Sequence, residues 1–346
     1  MSHYSGLPRG LGCCCRKGRS TFCLRSVRFQ PDEAPFGFKP DARTWYSSCI
    51  EATARAMRLI SSVPSDGRLA TCYEPPSLRN FRPAAELRRL PRFFDLLCTL
   101  SVHRVKVRYK QSHLGLVWAV LQPLAMMIVF VLMFSFIGTP PSQGVPYPVF
   151  AYAALMPWTA FSSGLSSASG SLTTHATLLT KVAFPREILP VTYAIAALVD
   201  LGMAATTLVV LMIWYHVGIT ASIAWAPVAV VLLALFLVGT GLLFSALQVR
   251  YRDVGLALPI ALQVWMFATP VLYPLAVVRH ALRPTLYVLY ILNPMAGVVE
   301  TFRRAVVLHQ NPDAASLLAS VGVIAIVLSS AYVYFKFSER TMADVI

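Results

Sequence analysis

Apolar positions in this chain fall into long runs, separated by short segments that hold nearly all of the charge. The runs are Trp118 to Ile137, Val149 to Ser169, Ile188 to Tyr215, Trp225 to Leu247, Leu256 to Leu275 and Ala315 to Phe335. A bilayer core takes about 20 apolar residues per helix, so each run predicts a membrane-spanning helix. The second is diluted by serines and Pro157, and the fifth is broken by Pro259, Pro270 and Pro274. The pattern predicts an all-α, polytopic membrane protein with six transmembrane helices, and an even number places both termini on one side.

Two further stretches read as helix without being spans. "AAELRRLPRFFDLLCTL" (84–100) sets apolar residues at three- and four-residue spacing beside Arg88, Arg89 and Arg92. That is the pattern of an N-terminal amphipathic helix lying in the membrane interface. Between the fifth and sixth runs, "PTLYVLYILNPMAGVV" (284–299) is interrupted at Asn293-Pro294. It predicts re-entrant outer half-helices, because irregular backbone survives at membrane depth where protein satisfies it.

Charge orients the spans. Arg88 to Lys110 carries seven Lys and Arg, whereas Gln111 to Thr180 has no charged residue. Lys181 and Arg186 follow the second run, Arg250 and Arg252 the fourth, and Lys336 and Arg340 the sixth. The intervening loops, 138–148 and 216–224, have no Lys or Arg. The positive-inside rule then puts both termini in the cytoplasm. Arg279, Arg283, Arg303 and Arg304 sit on the outer side against this trend.

The chain of 346 residues is 56% hydrophobic and 13% charged, about half the usual charge of a soluble domain. Its net +15 is concentrated toward the N-terminus, next to the first apolar run, which favours membrane lipid over nucleic acid as the acidic partner. Residues 1–85 are rich in Arg, Ser, Pro and Gly and lack sustained apolar periodicity. They predict a disordered, basic, Cys/Pro-rich extension, and 86–346 the membrane domain. Met57 is a candidate internal start, so residues 1–56 are expected to be dispensable. All seven cysteines precede residue 99, and Cys13, Cys14 and Cys15 are adjacent; this suits neither a disulfide framework nor a zinc site.

No Gly-x-x-x-x-Gly-Lys-Ser/Thr run and no strand-borne Gly-x-Gly-x-x-Gly occurs. Energy for uphill transport must then enter through a partner or an ion gradient. The histidines are isolated, and no metal or cofactor is expected. A membrane glycan-modifying enzyme would have only Arg279, His280, Arg283, Glu300, Arg303, Arg304, His309 and Asp313 in its outer segments; Glu300 could serve as a base, but nothing nearby in the sequence orients it. Asp200, mid-run in "AALVDLGMAATT", is costly there unless it faces protein or water. Without a charged partner in view, it is the main support for a proton-coupled carrier, and a structural hydrogen bond is its simpler role.

Four motifs together resemble the membrane subunits of type-2 ABC exporters of bacterial surface polysaccharide. "VKVRYKQSHLGLVWAVLQP" (105–123) is similar to the entrance of that family's first span, with Arg108, Tyr109, Lys110, Ser112, Leu114, Gly115, Trp118 and Pro123 on the matching positions. "LLTKVAFPREILP" (178–190), "ALQVRYRDVG" (246–255) and "LNPMAGVVETFRRAVV" (292–307) follow in the family's order, so the resemblance covers residues 87–346. It implies a permease subunit, itself no enzyme, that pairs as a homodimer with two copies of a separate ATPase. The pair would export an undecaprenyl-diphosphate-linked polysaccharide such as O-antigen or capsule across the bacterial inner membrane.

Candidate roles follow from both readings. Arg108 and Lys110 either anchor topology at anionic headgroups or hold the diphosphate of a lipid-linked glycan. Phe134, Phe136, Trp265, Phe267 and Tyr273 either form an interface belt or, as the resemblance implies, line the channel with rings suited to sugar faces. Lys181, Phe184, Arg186 and Glu187 form the expected ATPase-coupling feature, with Phe184 as an apolar knob between charges.

Overall fold

The computed structural model describes residues 94–110, 117–137, 142–176 and 185–345. The N-terminal extension, the 84–93 part of the expected amphipathic helix, and Lys181 and Phe184 lie outside the described residues. Among the described residues every regular element is helical. The α-helices are α1 (Phe94–Lys110), α2 (Val117–Ile137), α3 (Tyr147–Ser169), α4 (Ser171–Thr174), α5 (Ile188–Trp214) and α6 (Ala226–Arg250). They continue as α7 (Val254–Phe267), α8 (Leu275–Ala281), α9 (Pro284–Ile291), α10 (Pro294–Val306) and α11 (Ala314–Val345).

Four helical segments are long and apolar enough to cross a membrane: Val117–Phe136, Ile188–Trp214, Ala221–Arg250 and Ala314–Glu339. A fifth is possible only if α9 and α10, bent by 83° at their junction, act as one broken span. The six expected runs all form helix, but two differ from an ordinary span. Helix α3 has 23 residues and is diluted by its serines. Helix α7 has 14 residues and stops at Phe267. At 1.5 Å per residue α7 covers ~21 Å, short of a bilayer core.

The dilution of α3 has a packing explanation. From Val149 to Met156 its side chains are at most 1% exposed, because α2, α5, α6, α7 and α10 all pack on it. A helix enclosed by protein need not be apolar toward lipid. Its serines are satisfied within the helix: Ser162, Ser166 and Ser169 donate to the carbonyls of Thr159, Ser162 and Ser166. Small residues let its neighbours close in. A Cβ on Gly164 would stand 2.7 Å from the Ala197 Cβ of α5, and one on Gly239 of α6 would stand 3.1 Å from the Leu328 backbone of α11.

Two helix starts are fixed by side chains. The Asn293 side chain caps α10 by accepting from the Met295 amide at 3.2 Å, and Asp313 does the same for α11 from the Ser316 amide at 3.0 Å. The Asn293-Pro294 pair, where the sequence predicted a break, is the site of the 83° bend.

Candidate functional site

Helix α1 carries the basic strip. Winding at 3.6 residues per turn puts Arg104 and Arg108 on one face and Lys106 and Lys110 on the other. The arginine face lies along α5. The Arg104 guanidinium sits 4.0 Å above the Tyr193 ring, and Arg108 Nη1 donates to Asp200 Oδ2 at 2.6 Å. Tyr193 and Asp200 are two turns apart on α5, so one helix face receives both arginines. Beside them, a His175 ring nitrogen and the Tyr193 hydroxyl are 3.1 Å apart. Burial, then the neighbouring Arg104 and His103 side chains, hold the His175 pKa below its ordinary value.

The Arg108 contact corrects the reading of Asp200 as a carboxylate without a charged partner. Asp200 is 9% exposed at its side chain and Arg108 40%. The isolated carboxylate on which a proton-coupled carrier would rest is therefore an ion pair. Arg108, in turn, is tied to a point ~18 Å along α5 from Ile188, not only to a membrane surface. Lys110 ends α1, and its side chain lies outside the described residues.

Around this pair is a cleft of about 250 Å³ between α1, α2, α3 and α5. Trp118, Gln122 and Pro123 of α2 form one side, Thr159 and Ser163 of α3 the back, and Arg108 and Asp200 the other side. Leu201 and Ala204 add apolar surface.

The candidate aromatics divide into two groups. Phe136 is 87% exposed and Phe267 54%. The other three are engaged inside the protein. Phe134 lies 5.1 Å from the Tyr147 ring. Trp265 meets Phe161 and Phe236 edge-on at 5.6 and 6.0 Å, and its indole N–H donates to Asn293 Oδ1 at 3.2 Å. The Tyr273 hydroxyl donates to the Phe267 carbonyl at 2.9 Å and lies 3.3 Å from the Tyr290 hydroxyl.

Helix α10 holds a sealed ionic cluster that the sequence reading missed. Glu300 contacts Arg303, and its Oε1 accepts from Arg304 Nε at 3.0 Å. Arg303 is fully buried, donates to the carbonyls of Pro270 and Tyr273 at 3.0 and 3.3 Å, and lies 4.2 Å over the Phe150 ring. Glu300 is 1% exposed and clamped by two arginines, which corrects its reading as an unoriented outer base: it can reach no substrate. The signal was present in the spacing, since Glu at i with Arg at i+3 and i+4 meet on one helix face.

A third cluster joins the segment before α5 to α11. Lys336 Nζ lies 2.8 Å from Glu187 Oε1 and 3.1 Å from Glu339 Oε2. Arg186 Nη1 donates to the Glu339 carbonyl at 2.6 Å. Both described members of the expected coupling feature thus grip the C-terminal helix of their own chain.

Comparison with known proteins places this architecture. Residues 95–307 match the ABC-2 type transporter membrane family. The "O-antigen export system permease protein RfbA" of Myxococcus xanthus is 30% identical over 259 residues, 75% of this chain and 98% of that protein. The "Polysialic acid transport protein KpsM" of Escherichia coli is 28% identical over 60% of this chain and 79% of its own. The "Capsule polysaccharide export inner-membrane protein CtrC" of Neisseria meningitidis is 25% identical over 62% and 81%. With a family match spanning most of the chain and a relative aligned almost end to end, this protein belongs to the ABC-2 type transporter membrane family.

Proposed function

We propose that this chain is the permease subunit of an ATP-driven exporter of lipid-diphosphate-linked polysaccharide, of the O-antigen or capsule type, in a bacterial inner membrane. The observation that carries this reading is the similarity to an O-antigen export permease across 98% of that relative's length. In this reading six helices, α2, α3, α5, α6, α7 and α11, cross the membrane. Both termini are cytoplasmic, α1 lies at the inner interface, and α8 to α10 dip in from outside.

The working unit is a homodimer. One α7 face, Leu256, Ile260, Val264 and Phe267, is exposed and apolar, as are Val129, Leu132 and Phe136 of α2. Facing copies would enclose a path between these helices, and twofold pairing is the simplest closed arrangement. Phe136 and Phe267 present their rings to that path, while Phe134, Trp265 and Tyr273 back it. Arg108 and Lys110 receive the lipid diphosphate.

Two copies of a separate ATPase bind at the cytoplasmic face. Lys181 and Phe184 contact the ATPase, and the grip of Arg186 and Glu187 on α11 carries its movement into the bundle. A strain lacking this chain should lose surface polysaccharide and retain lipid-linked glycan inside. Restoration by the intact chain but not by Phe184→Ala, with weakened ATPase co-purification, is the expected result. Undiminished surface polysaccharide in the deletion strain would refute the export assignment.

A further inference from the structure

The cleft at Arg108 is more elaborate than a phosphate hook requires. An arginine has five N–H donors, and the only partner of the Arg108 guanidinium among the described residues is Asp200. On α2, Trp118 and Gln122 stand one turn apart, both exposed and both lining the cleft. Neither the indole N–H of Trp118 nor the Gln122 amide has a hydrogen-bond partner among the described residues. A glutamine in an apolar helix is unfavourable unless water, protein or ligand receives it.

Pro123 adds to this. It has no N–H, so the carbonyl of Ala119 four residues earlier loses its helical donor, and both residues line the cleft. Across the cleft, the Thr159 and Ser163 hydroxyls donate to their own helix backbone, which leaves their oxygens as acceptors. Donors and acceptors thus surround the space on three sides, with an indole at its edge.

The contents can be sized. A cleft of about 250 Å³ has room for a pyranose with its hydroxyls. A phospholipid headgroup would use the cation but leave the amide, the indole and the two hydroxyls unused.

We propose that this cleft binds the first sugar of the exported lipid, the pyranose attached directly to the diphosphate, which rests on reading the chain as an exporter of diphosphate-linked glycan. Trp118 stacks on the sugar face, and Gln122 and Asp200 hydrogen-bond its hydroxyls. Arg108 donates to the adjoining phosphate while Asp200 keeps the guanidinium in place. Recognition is therefore set by the reducing-end sugar, which every chain length shares.

The test uses the permease–ATPase complex in nanodiscs. Binding is measured for polyprenyl diphosphate carrying glucose or N-acetylglucosamine, for bare polyprenyl diphosphate, and for phosphatidylglycerol. The wild type should bind at least one glycosylated lipid about tenfold more tightly than the bare diphosphate. Trp118→Ala with Gln122→Leu should bring that ratio close to one. Bare-diphosphate binding in the same sample reports an intact fold.

Equal wild-type affinity for glycosylated and bare diphosphates, or a ratio that survives both substitutions, overturns the sugar site while leaving the exporter reading intact. If neither diphosphate lipid outcompetes phosphatidylglycerol in the wild type, the lipid-diphosphate reading falls and the sugar site with it.

Discussion

Two arginines in this protein, Arg303 and Arg108, have similar partners and opposite settings. Arg303 is sealed: a carboxylate, two carbonyls and an aromatic ring surround it, and its side chain is fully buried. Arg108 has one carboxylate at 2.6 Å and a side chain 40% exposed, at the edge of a cleft. The difference teaches how to separate structural charge from available charge. A guanidinium buried among partners from its own chain holds the fold, whereas one with donors left over at an open cleft can meet a ligand.

Substitutions can break that contrast, and the largest effect is expected at the sealed cluster. Glu300→Ala leaves Arg303 buried without its counter-charge, a loss of about 3–5 kcal/mol. The protein should then fail to accumulate as a folded species in detergent, as judged by gel-filtration profile. A normal profile would mean that Arg303 is not confined as described.

An intermediate effect is expected at the joint between the segment before α5 and α11. Lys336→Met removes the ammonium that Glu187 and Glu339 share, at a cost of about 2–3 kcal/mol. The thermal unfolding midpoint should fall, and ATPase stimulation should uncouple from export. Unchanged coupling would detach this cluster from the ATPase pathway.

The smallest effect is expected at the open pair. Asp200→Asn preserves shape and removes only charge, and the exposure of Arg108 limits the loss to about 1 kcal/mol or less. Folding should be near normal while export is reduced. A stability loss as large as that of Glu300→Ala would make the pair structural, and the contrast would collapse.

The sequence exposed some of this and hid the rest for identifiable reasons. Apolar runs marked the helices, because burial in lipid demands continuous apolar residues. Asn293-Pro294 marked the bend, because proline and a capping side chain act locally. Glu300 with Arg303 and Arg304 was readable at helical spacing and was passed over.

The Arg108–Asp200 pair was not readable, since its members are 92 residues apart and no local rule joins them. The short reach of α7 was half legible: Pro270 marked a break in the fifth run, but the apolar text on both sides of it concealed that the helix stops at Phe267. The central position of α3 inverted the usual inference, because its serines weakened it as a span while marking it as the helix enclosed by others.

The surroundings of Arg303 also bear on how the chain is made. Phe150, Pro270, Tyr273 and Glu300 all precede Arg303 in the sequence. A nascent chain therefore holds the hydrogen-bonding and ring partners of the guanidinium before the guanidinium itself is synthesised. Translation proceeds at about 5–20 residues per second, so α11 emerges seconds after its predecessors. The buried cation of α10 can thus meet its polar and aromatic partners before that last helix is made.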